Sequence, residues 1–202
     1  MRGERGDALL IVDVQNDFCP GGALAVEEGD QVVPVLSRMA ERFAAAGRPV
    51  YASRDWHPPD STHFEANGGV WPVHCVQGTA GARLHEGLHL PAAAMIVTKG
   101  HGRTDEGYSA IVGEVPGRGS LLEDLHARGI GRLIVGGLAT DYCVKHSVLD
   151  ALRNGIEVTV LTDAIRAVDV APGDGARALE EMSAAGATLT TSEKVRRNDL
   201  TA

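Results

Sequence analysis

The carboxylate of Asp55 and three imidazoles fall within twenty residues of this chain: Asp55-Trp56-His57, then His63, then Trp71-Pro72-Val73-His74. The segment reads as loop. Asp55 and His57 are two apart, and in extended backbone such a pair points the same way, so both can reach one ion. His63 and His74 can fold back onto it. An Asp/His set of this kind suits one divalent first-row metal, zinc or iron foremost and manganese next. The plainer alternative is a polar surface loop with ordinary histidines, and spacing alone leaves both open.

Three further residues carry chemistry. Asp13, Lys99 and Cys143 each follow an apolar, strand-like run. Cys143 falls in the first turn of a predicted helix that opens near Thr140-Asp141. Unpaired N–H groups and the positive dipole end there favour a thiolate, and an ammonium from Lys99 favours it further. A carboxylate from Asp13 can take the thiol proton and later deliver it to a leaving group. That is a constellation for acyl transfer. Backbone N–H groups around Ala139 and Cys143 can hold an oxyanion, and Gly136-Gly137 allows the tight path this needs. Taken singly, each residue has a bland reading: Asp as a turn residue, Lys as a solvated charge, Cys as a small buried side chain.

The elements that must position these groups alternate. Ala8–Val12, Pro49–Ser53, Met95–Thr98, Leu133–Val135, Val158–Leu161 and Thr188–Thr190 read as strands. Helices are predicted over about 30–46, 120–128, 142–154 and 172–185. Pro34 fits the first turn of the first helix, and Ser120 with Glu123 forms a capping box for the second. Unbroken apolar strands alternating with helices imply an α/β fold, with a parallel sheet covered on both faces. Ligands of such sheets sit beyond the carboxyl ends of the strands, where Asp13, Asp55, Lys99 and Ala139 fall. Two long connections, about 54–94 and 99–119, are of the length that usually serves function.

Composition narrows the partners. The 202 residues are 44% hydrophobic, which supports one domain spanning 1–202, with a core of about 8–191 and short tails at 1–7 and 192–202. Formal net charge is −8, against a nucleic-acid partner; the nearest basic cluster, Lys194-Val195-Arg196-Arg197, lies in the tail. No apolar run of spanning length points to a membrane. The charged start, Met1 to Asp7, lacks the apolar core of a signal peptide. Cys19, Cys75 and Cys143 are odd in number and widely spaced, so reduced thiols and a cytoplasmic setting are expected. The expected partner is a small molecule. A homo-oligomer stays open.

Read together, these residues resemble the nicotinamidase group of the isochorismatase-like cysteine hydrolase superfamily. The matching pieces are Asp13-Val14-Gln15-Asn16-Asp17-Phe18-Cys19-Pro20-Gly21-Gly22, Asp55-Trp56-His57-Pro58, His63-Phe64, Trp71-Pro72-Val73-His74-Cys75, Lys99-Gly100, Tyr108-Ser109 and Ala139-Thr140-Asp141-Tyr142-Cys143-Val144. They run in order across about residues 8–165. The resemblance implies a six-stranded parallel sheet with helices on both faces, and hydrolysis of nicotinamide to nicotinate and ammonia in NAD salvage. Pyrazinamide would fit the same pocket. By this likeness Cys143 is the nucleophile, Asp13 the proton shuttle and Lys99 the charge stabiliser. The metal on Asp55, His57, His63 and His74 would take the substrate's pyridine nitrogen. Phe18 and Trp71 would flank the ring, and Leu24 and Tyr108 would complete the pocket. The family often has a cis peptide before the position of Ala139. The likeness transfers no role to His101 or His146, and residues 101–107 carry no sharp motif.

The competing readings are a related cysteine amidase acting on a carbamoyl or ureido substrate, and a metallohydrolase in which Cys143 is structural. A true isochorismatase would lack the nucleophilic thiol. A two-His-one-carboxylate iron oxygenase is at odds with the order of strands and helices and with the thiol. Asp13 and Lys99 have no task in a non-catalytic metal-binding module.

Overall fold

The computed structural model describes residues 6–195. Residues 1–5 of the expected first tail, and 196–202 of the second with Arg196 and Arg197, lie outside the described residues.

Strand β1 (Gly6–Val12) is buried along nearly its whole length, and its side chains divide between two cores. Ala8, Leu10 and Val12 face one core, while Leu9 and Ile11 face the other. That division is why the run is apolar without alternation. Helix α1 (Val32–Ala45) covers one face through Leu36, Met39, Ala40 and Phe43. Helices α2 (Leu121–Ala127), α3 (Lys145–Arg153) and α4 (Asp174–Ala184) cover the other, through Leu121, Leu125, Val148, Ala151, Ala178 and Met182. The capping box at α2 is present: the Ser120 hydroxyl accepts the Glu123 N–H, and the Glu123 carboxylate accepts the Ser120 N–H.

The remaining strands are β2 (Val50–Asp55), β3 (Met95–Lys99), β4 (Glu114–Val115), β5 (Gly119–Ser120), β6 (Ile130–Leu138), β7 (Glu157–Arg166) and β8 (Thr188–Thr190). They form one sheet in the order β5-β4-β3-β2-β1-β6-β7-β8. Six strands, β3-β2-β1-β6-β7-β8, run parallel. The expected six-stranded sheet is therefore extended to eight. The extra pair, β4 and β5, adds an antiparallel hairpin outside β3. Two-residue strands are too short to leave a periodic pattern in sequence. No helix among the described residues is long and apolar enough to cross a membrane.

The sheet is tied to α2 at the end remote from the strands' carboxyl ends. Tyr51, near the start of β2, is fully buried, and its hydroxyl donates to Asp124 Oδ2 at 2.7 Å. Arg128 and Arg118 hold the same carboxylate at 2.8 and 3.3 Å. Tyr51→Phe is expected to cost about 1–2 kcal/mol, since the two arginines still satisfy Asp124 when the hydroxyl is lost. A lower urea midpoint at unchanged slope, with kcat/KM unaltered, is the expected result; an unchanged midpoint would count against it.

Candidate active site

Asp13, Asp55, Lys99 and Ala139 all stand at the carboxyl ends of adjacent parallel strands: after β1, ending β2, ending β3 and after β6. The chain reverses direction across the sheet between β1 and β6, and ligand crevices of open α/β sheets form at such a point.

Lys99 is the hub. Its ammonium is 2.6 Å from Asp13 Oδ2, 2.5 Å from Asp55 Oδ1, 2.6 Å from the Gly107 carbonyl and 3.4 Å from Cys143 Sγ. All four side chains are buried. Burial alone would drive the Lys99 proton off, but Asp13 and Asp55 outweigh it and hold the ammonium charged. One ammonium cannot neutralise two carboxylates, and the pair divides accordingly. Burial pushes the Asp13 carboxyl up against the pull of Lys99. Burial acts on Asp55 in the same sense, but Lys99 and His57 override it and keep Asp55 ionised. Ser53 orients Asp13: its hydroxyl donates to Oδ1 at 2.6 Å and accepts the Asp13 N–H at 3.3 Å.

The thiol departs from the expectation. Burial raises Cys143 well above the ordinary thiol range; Lys99 lowers it, but the Asp13 and Asp55 charges add to the rise. That balance favours the neutral thiol over the thiolate. Cys143 also lies in a wide π turn, Thr140–Val144, instead of the first turn of an α-helix. The Val144 N–H reaches back five residues to the Ala139 carbonyl at 3.1 Å. Such turns recur at functional sites. The Leu138–Ala139 peptide is cis, and Gly137 has φ of +130°, where a Cβ would strike the Val12 backbone.

Beside Asp55 the three imidazoles converge. One ring nitrogen from each of His57, His63 and His74 lies within 4.8 Å of the others. Asp55 Oδ2 is 3.8 Å from His57 Nε2. Asp55 is thus shared, with one oxygen on Lys99 and the other turned toward the imidazoles. The donor set fits a divalent ion on three observations. Both nitrogens of His57 are buried without a hydrogen-bond partner. His74 Nδ1 is 2.7 Å from the Pro72 carbonyl, which places the proton there and leaves Nε2 its lone pair. Burial, with help from His57 and His74, lowers His63 to about 4, so its ring stays neutral and able to ligate. Burial likewise lowers His74. Gly100, at φ +66°, gives the His57 ring its room, since a Cβ there would meet the imidazole.

The pocket above these groups is lined by Phe18, Leu24, Trp71 and Tyr108, with Asp55, His63, His74, Ala139 and Cys143 also facing it. Two further walls, Tyr142 and Val168, carried no sequence signal that singled them out. Trp71 is held from both sides: its indole N–H donates to Tyr108 Oη at 2.9 Å, and its ring meets Tyr142 edge-on at 4.8 Å. His146, to which the resemblance gave no role, stacks on Tyr108 at 5.0 Å. Residues 101–107 contribute the Gly107 carbonyl to Lys99. The side chain of Asp105 steadies that turn by accepting the Gly107 N–H.

Two carboxylates inside the quoted motifs act as braces. Asp17 accepts the Cys75 N–H at 2.7 Å and the Ala23 N–H at 3.2 Å, joining the imidazole loop to the segment carrying Phe18 and Leu24. Asp141 accepts the N–H groups of Val168 and Asp169 at 3.0 and 2.9 Å, pinning the Val168 wall to the thiol turn. Cys19 and Cys75 are buried free thiols, and burial pushes both up.

A family model for the isochorismatase domain matches residues 7–194. The chain belongs to the isochorismatase family. Within it the chain groups with nicotinamidases, which are amidohydrolases. It is 47% identical over 200 residues to a nicotinamidase of Escherichia coli K12, covering 91% of this chain and 94% of the relative. A crystal structure of the pyrazinamidase of Pyrococcus horikoshii in complex with zinc superposes with a TM-score of 0.83 at 40% identity, covering 92% and 98% of the two chains. PnC1 from L. infantum, in complex with nicotinate, superposes with a TM-score of 0.80 at 36% identity, covering 94% of each chain.

Proposed function

We propose that the protein hydrolyses nicotinamide to nicotinate and ammonia through a thioester on Cys143, with a divalent metal at the imidazole cluster. The observation that carries this reading is the sharing of Asp55 between Lys99 and the imidazoles at the base of one aromatic pocket. The names of the relatives supply the substrate. Cytoplasmic NAD salvage, and the whole chain 1–202 as one domain, belong to the same proposal. Pyrazinamide is a second substrate of the same shape.

The residues divide the work. Asp13 takes the Cys143 proton as Sγ attacks the amide carbon, and Lys99 offsets the negative charge that builds up beside it. The N–H groups of Ala139 and Cys143 receive the carbonyl oxygen as it becomes anionic. Asp13 then protonates the departing amine, ammonia leaves, and Cys143 holds the nicotinoyl group as a thioester. Asp13 next deprotonates a water that attacks the thioester, and returns the proton to Sγ. Phe18 and Trp71 hold the ring, while Leu24 and Tyr108 close its edges. A divalent ion on His57, His63, His74 and Asp55 would supply a Lewis-acidic partner for the pyridine nitrogen.

Purified, metal-loaded protein is expected to release ammonia and nicotinate in equal amounts from nicotinamide. No release from nicotinamide, with turnover of a carbamoyl or ureido compound instead, would overturn the assignment in favour of the rival amidase.

A further inference from the structure

β1 and β2 pair at Leu9↔Val50, Leu10↔Tyr51 and Ile11↔Ala52. Past Val12 the first chain turns aside, with Asp13 at φ +46°. β2 runs on to Asp55, which on its other flank pairs with Lys99 of β3. The peptide groups of Asp55 therefore extend beyond the strand that would have bonded them. A side chain takes that place. Gln15 Oε1 accepts the Asp55 N–H at 2.7 Å, and Gln15 Nε2 donates to the Asp55 carbonyl at 2.9 Å. The same nitrogen donates to the Ala82 carbonyl at 2.9 Å, past the imidazoles on the same connection. Gln15 is fully buried.

We propose that Gln15 is a positioning residue for Asp55, standing in for the missing strand and fixing the carboxylate that the thiol site and the imidazole cluster share. The inference rests on the reading above in which Asp55 serves both. A side-chain amide has the donor and acceptor of a peptide group, so it can continue a ladder where backbone has left. The demand on Asp55 is strict. One oxygen sits 2.5 Å from Lys99 while the other faces His57 at 3.8 Å, so a small shift of the main chain spoils both contacts. Few side chains satisfy the position. Glutamate keeps the shape but, ionised, has no hydrogen to donate. Methionine keeps the bulk and offers neither bond. Asparagine is one methylene short.

The test compares wild type with Gln15→Met, Gln15→Glu and Asp55→Ala. Zinc affinity is read by competition with a chromophoric chelator, kcat and KM for nicotinamide separately, and Tm alongside. Both Gln15 variants are expected to bind zinc at least tenfold more weakly and to lose at least tenfold in kcat. A purely structural glutamine would lower Tm while the folded protein kept wild-type zinc affinity and kcat, and that result overturns the proposal. If Asp55→Ala weakens zinc binding and Gln15→Met does not, only the positioning role falls. If Asp55→Ala binds zinc as wild type does, the shared-carboxylate reading falls and the positioning role with it. Should the Gln15 variants not fold, the wild type decides. Its Gln15 side-chain amide protons should exchange slowly with solvent and shift, together with the Asp55 amide, on addition of zinc. Exchange as fast as that of an exposed glutamine would overturn the proposal.

Discussion

Cys143→Ala is expected to abolish turnover while leaving the fold and zinc binding intact. Removal of a nucleophile should lower kcat by about a thousandfold or more, roughly 4 kcal/mol of barrier. The expectation rests on geometry: Sγ lies 3.4 Å from the Lys99 ammonium, and a carboxylate oxygen of Asp13 lies within 4.8 Å of it. Burial favours the protonated thiol, and in the proposed mechanism Asp13 takes that proton as Sγ attacks. The truncation removes a single sulfur at the edge of the core, so Tm should move little. Cys143 is the cysteine whose sulfur Lys99 contacts, and burial pushes the Cys19 and Cys75 thiols up. The checks are kcat on nicotinamide and mass spectrometry of acid-quenched enzyme. Wild type should carry a nicotinoyl adduct and the variant none. A variant retaining more than a tenth of the wild-type rate would exclude the covalent route and favour a metallohydrolase with a structural cysteine.

Chelation of the metal is expected to raise KM for nicotinamide steeply, by about tenfold or more, equivalent to at least ~1.4 kcal/mol of binding. The reason is that a thiol, a carboxylate and an ammonium could in principle attack an amide without any ion. The imidazole cluster beside it earns its place only if it holds something, and the pocket joins the two. Benzamide has the same ring and carboxamide without the ring nitrogen. It should be a poor substrate of the loaded enzyme, and its kcat/KM should hardly respond to chelation. Added zinc should also raise Tm, because an ion that binds only the folded chain stabilises it by about 2.7 kcal/mol at a hundredfold excess over Kd. Equal kcat/KM for nicotinamide and benzamide in loaded enzyme would refute a role for the metal in holding the ring. A Tm indifferent to zinc would refute the site.

Much of this was legible in the sequence, for definable reasons. The apolar run of β1, buried on both faces, could be read to its end at Val12. β2, β3 and β6 run on to Asp55, Lys99 and Leu138, past the expected ends at Ser53, Thr98 and Val135, because polar residues and glycines there interrupt the apolar pattern. Asp13, Asp55, Lys99 and Ala139 still fall at those carboxyl ends. Residue type and spacing offered the imidazole set beside the alternative of an ordinary polar loop, and folding brings one nitrogen from each ring within 4.8 Å of the others. The hairpin of β4 and β5 was illegible, being two residues to a strand. So was the Gly107 carbonyl on Lys99, because a backbone atom carries no residue type. Gln15, Asp17 and Asp141 stood inside the quoted motifs, but their partners are backbone N–H and C=O groups brought near only by folding. The ionic state of the thiol was decided by the tertiary structure. A helix start and a lysine argue for a thiolate when considered as sequence. Packing then removed water from Cys143 and set two carboxylates around the one ammonium, and that balance of desolvation and charge favours the proton on sulfur.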